Sequence, residues 1–437
     1  MALHLLRSDI ALLAATLVVP GFSHAAVRVV ANCNDSGAGS LRTAIATAAS
    51  GDVIDLSRLT CARIILTTGE LVVPQGSLTM RGRHRAAMIL DGNLDGRVIR
   101  HDGQGWLRIE NLTVARGYFV GASTAEGGCV LSAGSVALDC ARVHGCIVEP
   151  VPDGAGVSAG GGVAAVGNIT VLHSAVHDNE ARNRGAGGGL RTGQGHIKLL
   201  HSEVMRNRGA QGGGLSTLTL TAVYTTFKGN VGQFGGGAFS ANRAILNKTT
   251  FVGNRSVAAP GYGQQEGGAG LFVYSDAYIT DSTFSGNSGT RNGALRMGYG
   301  LIRNSTIAYN VDEAVDWETG QCGGALSASA LRLESSIVAR NTCAVGADLD
   351  IVDGVWIEGS HNVVEHSASV LPPDTLQLDP RLSPLANNGG PTLTHLPAAD
   401  SPVLDRGANP SSREYDQRGP GFPRQHGLGV DIGSMER

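Results

Sequence analysis

Thr225-Thr226-Phe227-Lys228-Gly229-Asn230 is the stretch that decides how this chain folds. Its pattern, Ser/Thr-x-Val/Phe/Ile-x-x-Asn, occurs seven times, closing on Asn179, Asn207, Asn230, Asn254, Asn287, Asn310 and Asn341. The Asn-to-Asn spacings are 28, 23, 24, 33, 23 and 31 residues. A spacing that never drops below 23 but sometimes lengthens describes a fixed coil with variable loops. Six of the Asn residues are followed by a Gly-rich turn, such as Gly187-Gly188-Gly189-Leu190, Gly212-Gly213-Gly214-Leu215 or Gly323-Gly324-Ala325-Leu326. Self-similarity at such a period is the mark of a solenoid.

Within each copy the residues alternate. Thr225 and Phe227 are expected to point inward, Thr226 and Lys228 outward, which is the period of a strand and not of a helix. The Asn falls where the chain must turn, and Asn tolerates left-handed backbone and hydrogen-bonds neighbouring main chain. Stacked coil on coil, the seven Asn residues make an internal ladder with a structural role. The expected fold is all-β: a single right-handed parallel β-helix. Leucine-rich repeats are the rival solenoid, but their Leu spacing is missing.

Composition agrees. Gly contributes 63 of 437 residues, roughly twice average usage, yet with no three-residue period, so collagen is excluded. The formal net charge of −3 lacks the basic footprint of a nucleic-acid binder. Apolar residues make up 42%, enough to fill a long, thin core. Arg7, the apolar run Ile10 to Val19, then Pro20-Gly21 and Ser23-His24-Ala25 read as an export signal over residues 1–25. The run is too short to span a membrane, and no other segment approaches a span. The expected location is outside the cytoplasm: extracellular, cell-surface or periplasmic.

Export favours disulfides. Cys33 and Cys61 flank the first expected helix, and Cys322 and Cys343 lie about one coil apart, so both pairs are disulfide candidates. Two of Cys129, Cys140 and Cys146 can pair, leaving one over; connectivity is not readable from sequence. No Cys-x-x-Cys occurs, which argues against zinc or thioredoxin-like sites.

Ser40 to Ala48 reads as a capped helix with Leu41, Ile45 and Ala48 on one face. It is expected to cap the open end of the core over residues 26–70. The β-helix is expected over 71–365, with Leu112/Val114/Gly117 and Ala141/Val143/Cys146 as degenerate copies of the phrase. Beyond 366 the repeat stops and Pro and Asp rise, which reads as an irregular C-terminal cap lying along the solenoid.

The opening Asn32-Cys33-Asn34-Asp35-Ser36-Gly37-Ala38-Gly39-Ser40-Leu41-Arg42 resembles the start of a large group of exported bacterial β-helix proteins. The tail motifs Asn387-Asn388-Gly389-Gly390-Pro391-Thr392, Ser401-Pro402-Val403-Leu404-Asp405-Arg406-Gly407, Asp416-Gln417-Arg418-Gly419 and Val430-Asp431-Ile432-Gly433 resemble the choice-of-anchor Q domain. The repeats are similar to those of polymorphic outer-membrane proteins. The resemblance implies an exported, pectin-lyase-like β-helix, often surface-attached, with no established chemistry. No sorting tail, membrane anchor or barrel follows the last motif, so release or non-covalent retention is the expectation.

No G-x-S-x-G, H-E-x-x-H or Walker motif is present. Chemistry must come from stacking, because equivalent positions on successive coils sit about 4.8 Å apart. Alignment of the phrase puts Arg142, Ala175, Glu203, Thr226, Thr250, Thr283 and Thr306 in one outward column. His144, His177, Met205, Lys228, Val252 and Ser285 fill the next, with Asp178 and Arg206 adjacent in a third. Arg142, His144, His177, Glu203 and Arg206 are therefore the catalytic candidates: His as base, Arg to stabilise developing charge beside a uronate. The plain alternative is a solvated strand face with modest ion pairs. The Thr column is expected to be exterior, either simple β-propensity or a flat array that orders water or a repetitive surface. Asp312, Glu313 and Asp316, with Asp348 and Asp350, are calcium candidates, though without EF-hand spacing. Trp317 and Trp356 are candidate sugar platforms.

Three readings compete. The first is a non-catalytic exported module that binds a glycan, a cell surface or a partner protein. It accounts for the neutral, Thr-rich exterior and the missing catalytic motif. The second is a lyase or glycoside hydrolase acting on acidic polysaccharide, the third a structural envelope component. The first is preferred, with no cofactor beyond a calcium option.

Overall fold

A computed structural model describes residues 25–151, 156–257, 267–313, 322, 324–344 and 346–437. The expected export segment, Asp316, Trp317 and Glu318 lie outside these residues. Short strands stack coil on coil into a right-handed parallel β-helix, with 21 strands in one sheet and 12 in a second among the described residues. A third face is built from shorter runs, including the five-stranded set from Val231–Gly232 to Thr342–Cys343. The first strand, Val27–Val29, already pairs in parallel with Val53–Asp55. The one helix among the described residues is Leu41–Ala46. Ser40 is its N-cap, its side chain accepting from the Thr43 N–H, with Leu41 and Ile45 buried. At its other end Gln75 Nε2 donates to the carbonyls of Ile45 and Ala48 at 2.8 and 3.0 Å, satisfying groups that a helix end leaves open.

The second sheet is made by the repeat phrase. Each coil contributes a strand of two or three residues, one of which points in. Ile64, Leu90, Val114, Val143, Val176, Val204, Phe227, Phe251, Phe284, Ile307, Val338 and Val364 are in register down the core, all fully buried. Phe227, Phe251 and Phe284 stack with centroids 4.3 and 4.7 Å apart and planes within 5°. Such a column lets identical rings pack at the strand spacing without strain.

The Asn ladder is continuous. Asn207 Oδ1 accepts from both the N–H and the Nδ2 of Asn179, at 3.1 and 2.9 Å. The pattern repeats through Asn230, Asn254, Asn287, Asn310 and Asn341. Each Nδ2 also donates to a core-strand carbonyl of the preceding coil, as Asn254 does to Phe227 O at 3.0 Å. The ladder ends on Asp350, whose Oδ1 accepts from Asn341 Nδ2 at 2.7 Å while Oδ2 accepts from His366 N at 2.7 Å. An ionised carboxylate only accepts, so it terminates a chain of donors. One expectation needs correcting. The left-handed residue is not the Asn but the one before it: Asp178, Arg206, Gly229, Gly253, Gly286, Tyr309 and Arg340 have φ between 50° and 63°. The Asn keeps ordinary backbone because its amide is committed to the ladder. A second left-handed corner precedes each strand, at Cys140, His173, His201, Tyr224, Lys248, Asp281, Asn304 and Ser335.

The Gly-rich turns are required by coil contact: a Cβ on Gly213 would lie 2.3 Å from the Val231 carbonyl oxygen. Disulfides join Cys33 to Cys61, Cys129 to Cys146 and Cys322 to Cys343, which leaves Cys140 unpaired. Among the described residues no helix is long and apolar enough to cross a membrane.

The C-terminal segment lies across the second sheet. Thr250 Oγ1 donates to Leu393 O at 2.8 Å and Thr283 Oγ1 to Gln417 Oε1 at 2.7 Å; Thr306 Oγ1 accepts from Ser434 N at 3.1 Å. His395 Nε2 meets Ser285 Oγ at 2.9 Å. Val403 and Ile432 pack on Ile337, Ala339 and Val363. A buried ionic knot fastens the rest: Arg424 bonds Asp281, Glu436 Oε1 at 3.0 Å and Gly433 O at 3.0 Å, and Lys248 sits 3.6 Å from Asp281.

Candidate functional site

The outward columns of the second sheet have the register expected from the phrase: Arg142, Ala175, Glu203, Thr226, Thr250, Thr283, Thr306, and beside them His144, His177, Met205, Lys228, Val252, Ser285. What differs is which of them meet solvent. Thr250, Thr283 and Thr306 are 0, 0 and 2% exposed, because the tail covers them. The expected Thr-rich exterior is therefore an interior seam, its hydroxyls used by Leu393, Gln417 and Ser434. Toward the N-terminus Thr113 is also buried, its hydroxyl donating to Arg85 O at 2.6 Å. Between these two covers lies an open window of four strands, Arg142–His144, Ala175–His177, Glu203–Met205 and Thr226–Lys228.

The window gathers the catalytic candidates. The His144 and His177 rings are stacked, centroids 5.0 Å apart and planes within 1°. His177 Nδ1 contacts Asp178 Oδ2 at 2.6 Å, and Asp178 accepts a two-point bond from Arg206 at 2.7 and 2.8 Å. The Arg206 hydrogen bonds hold the Asp178 carboxyl well down, to about 2, so it stays ionised. An ionised Asp178 accepts a hydrogen bond from the His177 Nδ1–H, and in the neutral imidazole Nε2 is then the lone-pair nitrogen. Burial, then the neighbouring His177 and Arg142, push the His144 imidazole below its ordinary range. Arg142 Nε is buried with no hydrogen-bond partner among the described residues. Glu203 and Lys228 are exposed. This constellation can take up anionic or hydroxyl-rich groups, and it holds one oriented base.

Along one edge runs a column that the sequence reading did not single out. His173 stacks on His201 at 5.5 Å, and His201 on Tyr224 at 4.7 Å. Burial, then His173, holds the His201 imidazole low. These are the left-handed corner residues, one position before each Ser or Thr of the phrase, so a fixed offset would have found them.

Each described calcium candidate already has a partner within the protein. Asp312 is buried and its Oδ2 accepts from Asn292 N at 3.2 Å; Glu313 pairs with Arg255 at 2.9 Å. Asp348 Oδ1 accepts from Cys343 N at 3.2 Å, and Asp350 ends the ladder. Trp356 is 69% exposed on the first sheet, beside an open groove of about 760 Å³ lined by Val355, Ile357, Val370, Leu371 and Pro372.

No family model matches this sequence, and the search of curated proteins found no match. Among solved structures the chain is similar to a pectate lyase, Pel9A. The two are 13% identical, with a TM-score of 0.46, over 94% of this chain and 97% of that one. That likeness is too loose to transfer the role of any residue. The tail motifs remain a resemblance to the choice-of-anchor Q domain, without a family model behind them.

Proposed function

We propose that this chain is an exported β-helix protein that binds an acidic glycan in the open window of the second sheet, without cleaving it. The observation that carries this reading is the window itself. Both neighbouring stretches of the sheet are covered, while the uncovered strands hold Arg142, Lys228 and a His pair. Cationic and imidazole groups in a row suit a polymer with repeated carboxylates. Trp356, exposed on another face, offers an apolar ring to a sugar.

A second reading, lyase chemistry, draws support from the His177–Asp178 pair. His177 Nε2 would take the proton beside a uronate carboxylate while Arg142 neutralises that carboxylate. The C–O bond to the next sugar would break, a C=C bond would form, and the leaving oxygen would be protonated.

Size-exclusion chromatography of the mature protein with anionic and neutral polysaccharides, with calcium and with chelator, separates the two. Co-elution with an anionic polymer of unchanged length, lost in Arg142→Ala/Lys228→Ala, is the expected result. Shortening of the polymer, abolished by His177→Ala, would replace binding with cleavage. A calcium requirement for co-elution would bring Asp348 and Glu313 back as ligands.

A further inference from the structure

We propose that Asp139, Cys140 and His173 form a binding site for a thiophilic divalent cation of the zinc class, with water completing its coordination. The inference is independent of the glycan reading.

The placement follows from the coil geometry. Asp139 ends the strand Ser135–Asp139, and Cys140 and His173 are the left-handed corner residues of adjacent coils, with φ of 48° and 47°. Cys140 N donates to Leu172 O at 3.0 Å, which fixes the two corners side by side. A carboxylate oxygen, a thiol sulfur and an imidazole nitrogen lie within 4.8 Å of one another. The backbone of the His173 corner is braced, since Arg85 Nη1 donates to its carbonyl at 2.7 Å.

The donor set selects the metal. A hard cation such as calcium takes oxygen ligands, whereas a mixed S, N and O set suits zinc. Zinc bonds of roughly 2.0–2.3 Å put tetrahedral ligands about 3.5 Å apart, so the three groups must draw in by about 1 Å. The exposed His173 side chain supplies that movement by rotation. Three protein ligands with an open fourth position is an arrangement zinc adopts readily. Six of the seven cysteines are in disulfides, so Cys140 is the thiol left to ligate. Burial and the adjacent Asp139 carboxylate raise the Cys140 thiol.

The test uses the mature full chain and cobalt(II), then zinc. One cobalt per chain, with a thiolate-to-cobalt charge-transfer band that zinc abolishes, is expected. Cys140→Ser should remove the band, and His173→Ala should weaken binding at least roughly tenfold, as loss of one of three ligands requires. On the unmutated chain zinc should slow alkylation of Cys140, a readout that does not depend on any variant folding. An absent band, equal binding by Cys140→Ser, no protection by zinc, or Cys140 found in an intermolecular disulfide would each overturn the proposal.

Discussion

Two halves of one sheet carry the same phrase and meet opposite fates. From Arg142 to Lys228 the outward residues are Arg, His, Ala, Glu, Met, Thr and Lys, and all but Ala175 are at least partly open to solvent. From Thr250 to Ala339 they are Thr, Val, Ser, Ile and Ala, and most lie beneath the tail. Inward, the halves are alike: one apolar column and one Asn ladder. The difference teaches that an outward strand position is not a surface position until the rest of the chain has been placed. Thr serves the covered half because its methyl packs while its hydroxyl pairs with a polar tail group. Buried hydroxyls without partners would destabilise the seam.

The comparison breaks most sharply at the knot. Arg424→Ala leaves Glu436 buried without its cation and Asp281 with Lys248 alone, a loss of about 3–5 kcal/mol for a buried pair broken on one side. The tail should detach and the Thr column become solvent-exposed. Hydrogen exchange should rise over residues 380–437 while the strands of the early coils keep their protection. Equal exchange in both halves would mean that the tail and coils unfold as one unit.

A pH titration sharpens the same contrast. Burial raises Asp350 from 3.8 to about 6 despite its three hydrogen bonds from Asn341 and His366. A folded value above the unfolded one means that this contribution is complete below pH 3.8 and is lost as pH rises through about 6, at most about 3 kcal/mol. Glu436, pushed up to about 7 by burial, acts in the same direction at the knot. Thermal melts should therefore lose stability between mildly acid and neutral pH. Asp350→Asn should flatten the part of that slope due to the ladder end. It also costs the His366 bond, roughly 1 kcal/mol, because an amide nitrogen cannot accept.

The smallest effect belongs to the open half. Lys228→Ala removes an exposed side chain and should shift stability by no more than about 0.5 kcal/mol. It should nevertheless weaken co-elution with an anionic polymer. A large loss of stability would show that Lys228 is part of the packing after all.

Much of this was legible because the phrase ties register to chemistry. Phe227 must follow Val204 and precede Phe251, since shifting a coil by one residue would turn the rings outward and the Asn amides away from one another. That is why the phrase alone places Arg142, Glu203, His144 and His177 in their columns. Propensity favours Asn at the left-handed position, but the residue before it takes that backbone because the ladder needs the Asn amide. The cysteine pairing of Cys129 with Cys146 was open, since three residues close in sequence offer several connectivities.

By itself, then, the sequence determined the coil, its register, the stacked core and the ladder, because each rests on a short repeated phrase whose contacts recur at every turn. Only the tertiary structure decided which half of the outer face is surface. That depends on contacts such as Gln417 with Thr283 and Arg424 with Asp281, 134 and 143 residues apart. No local period records where a distant, non-repeating tail comes to rest.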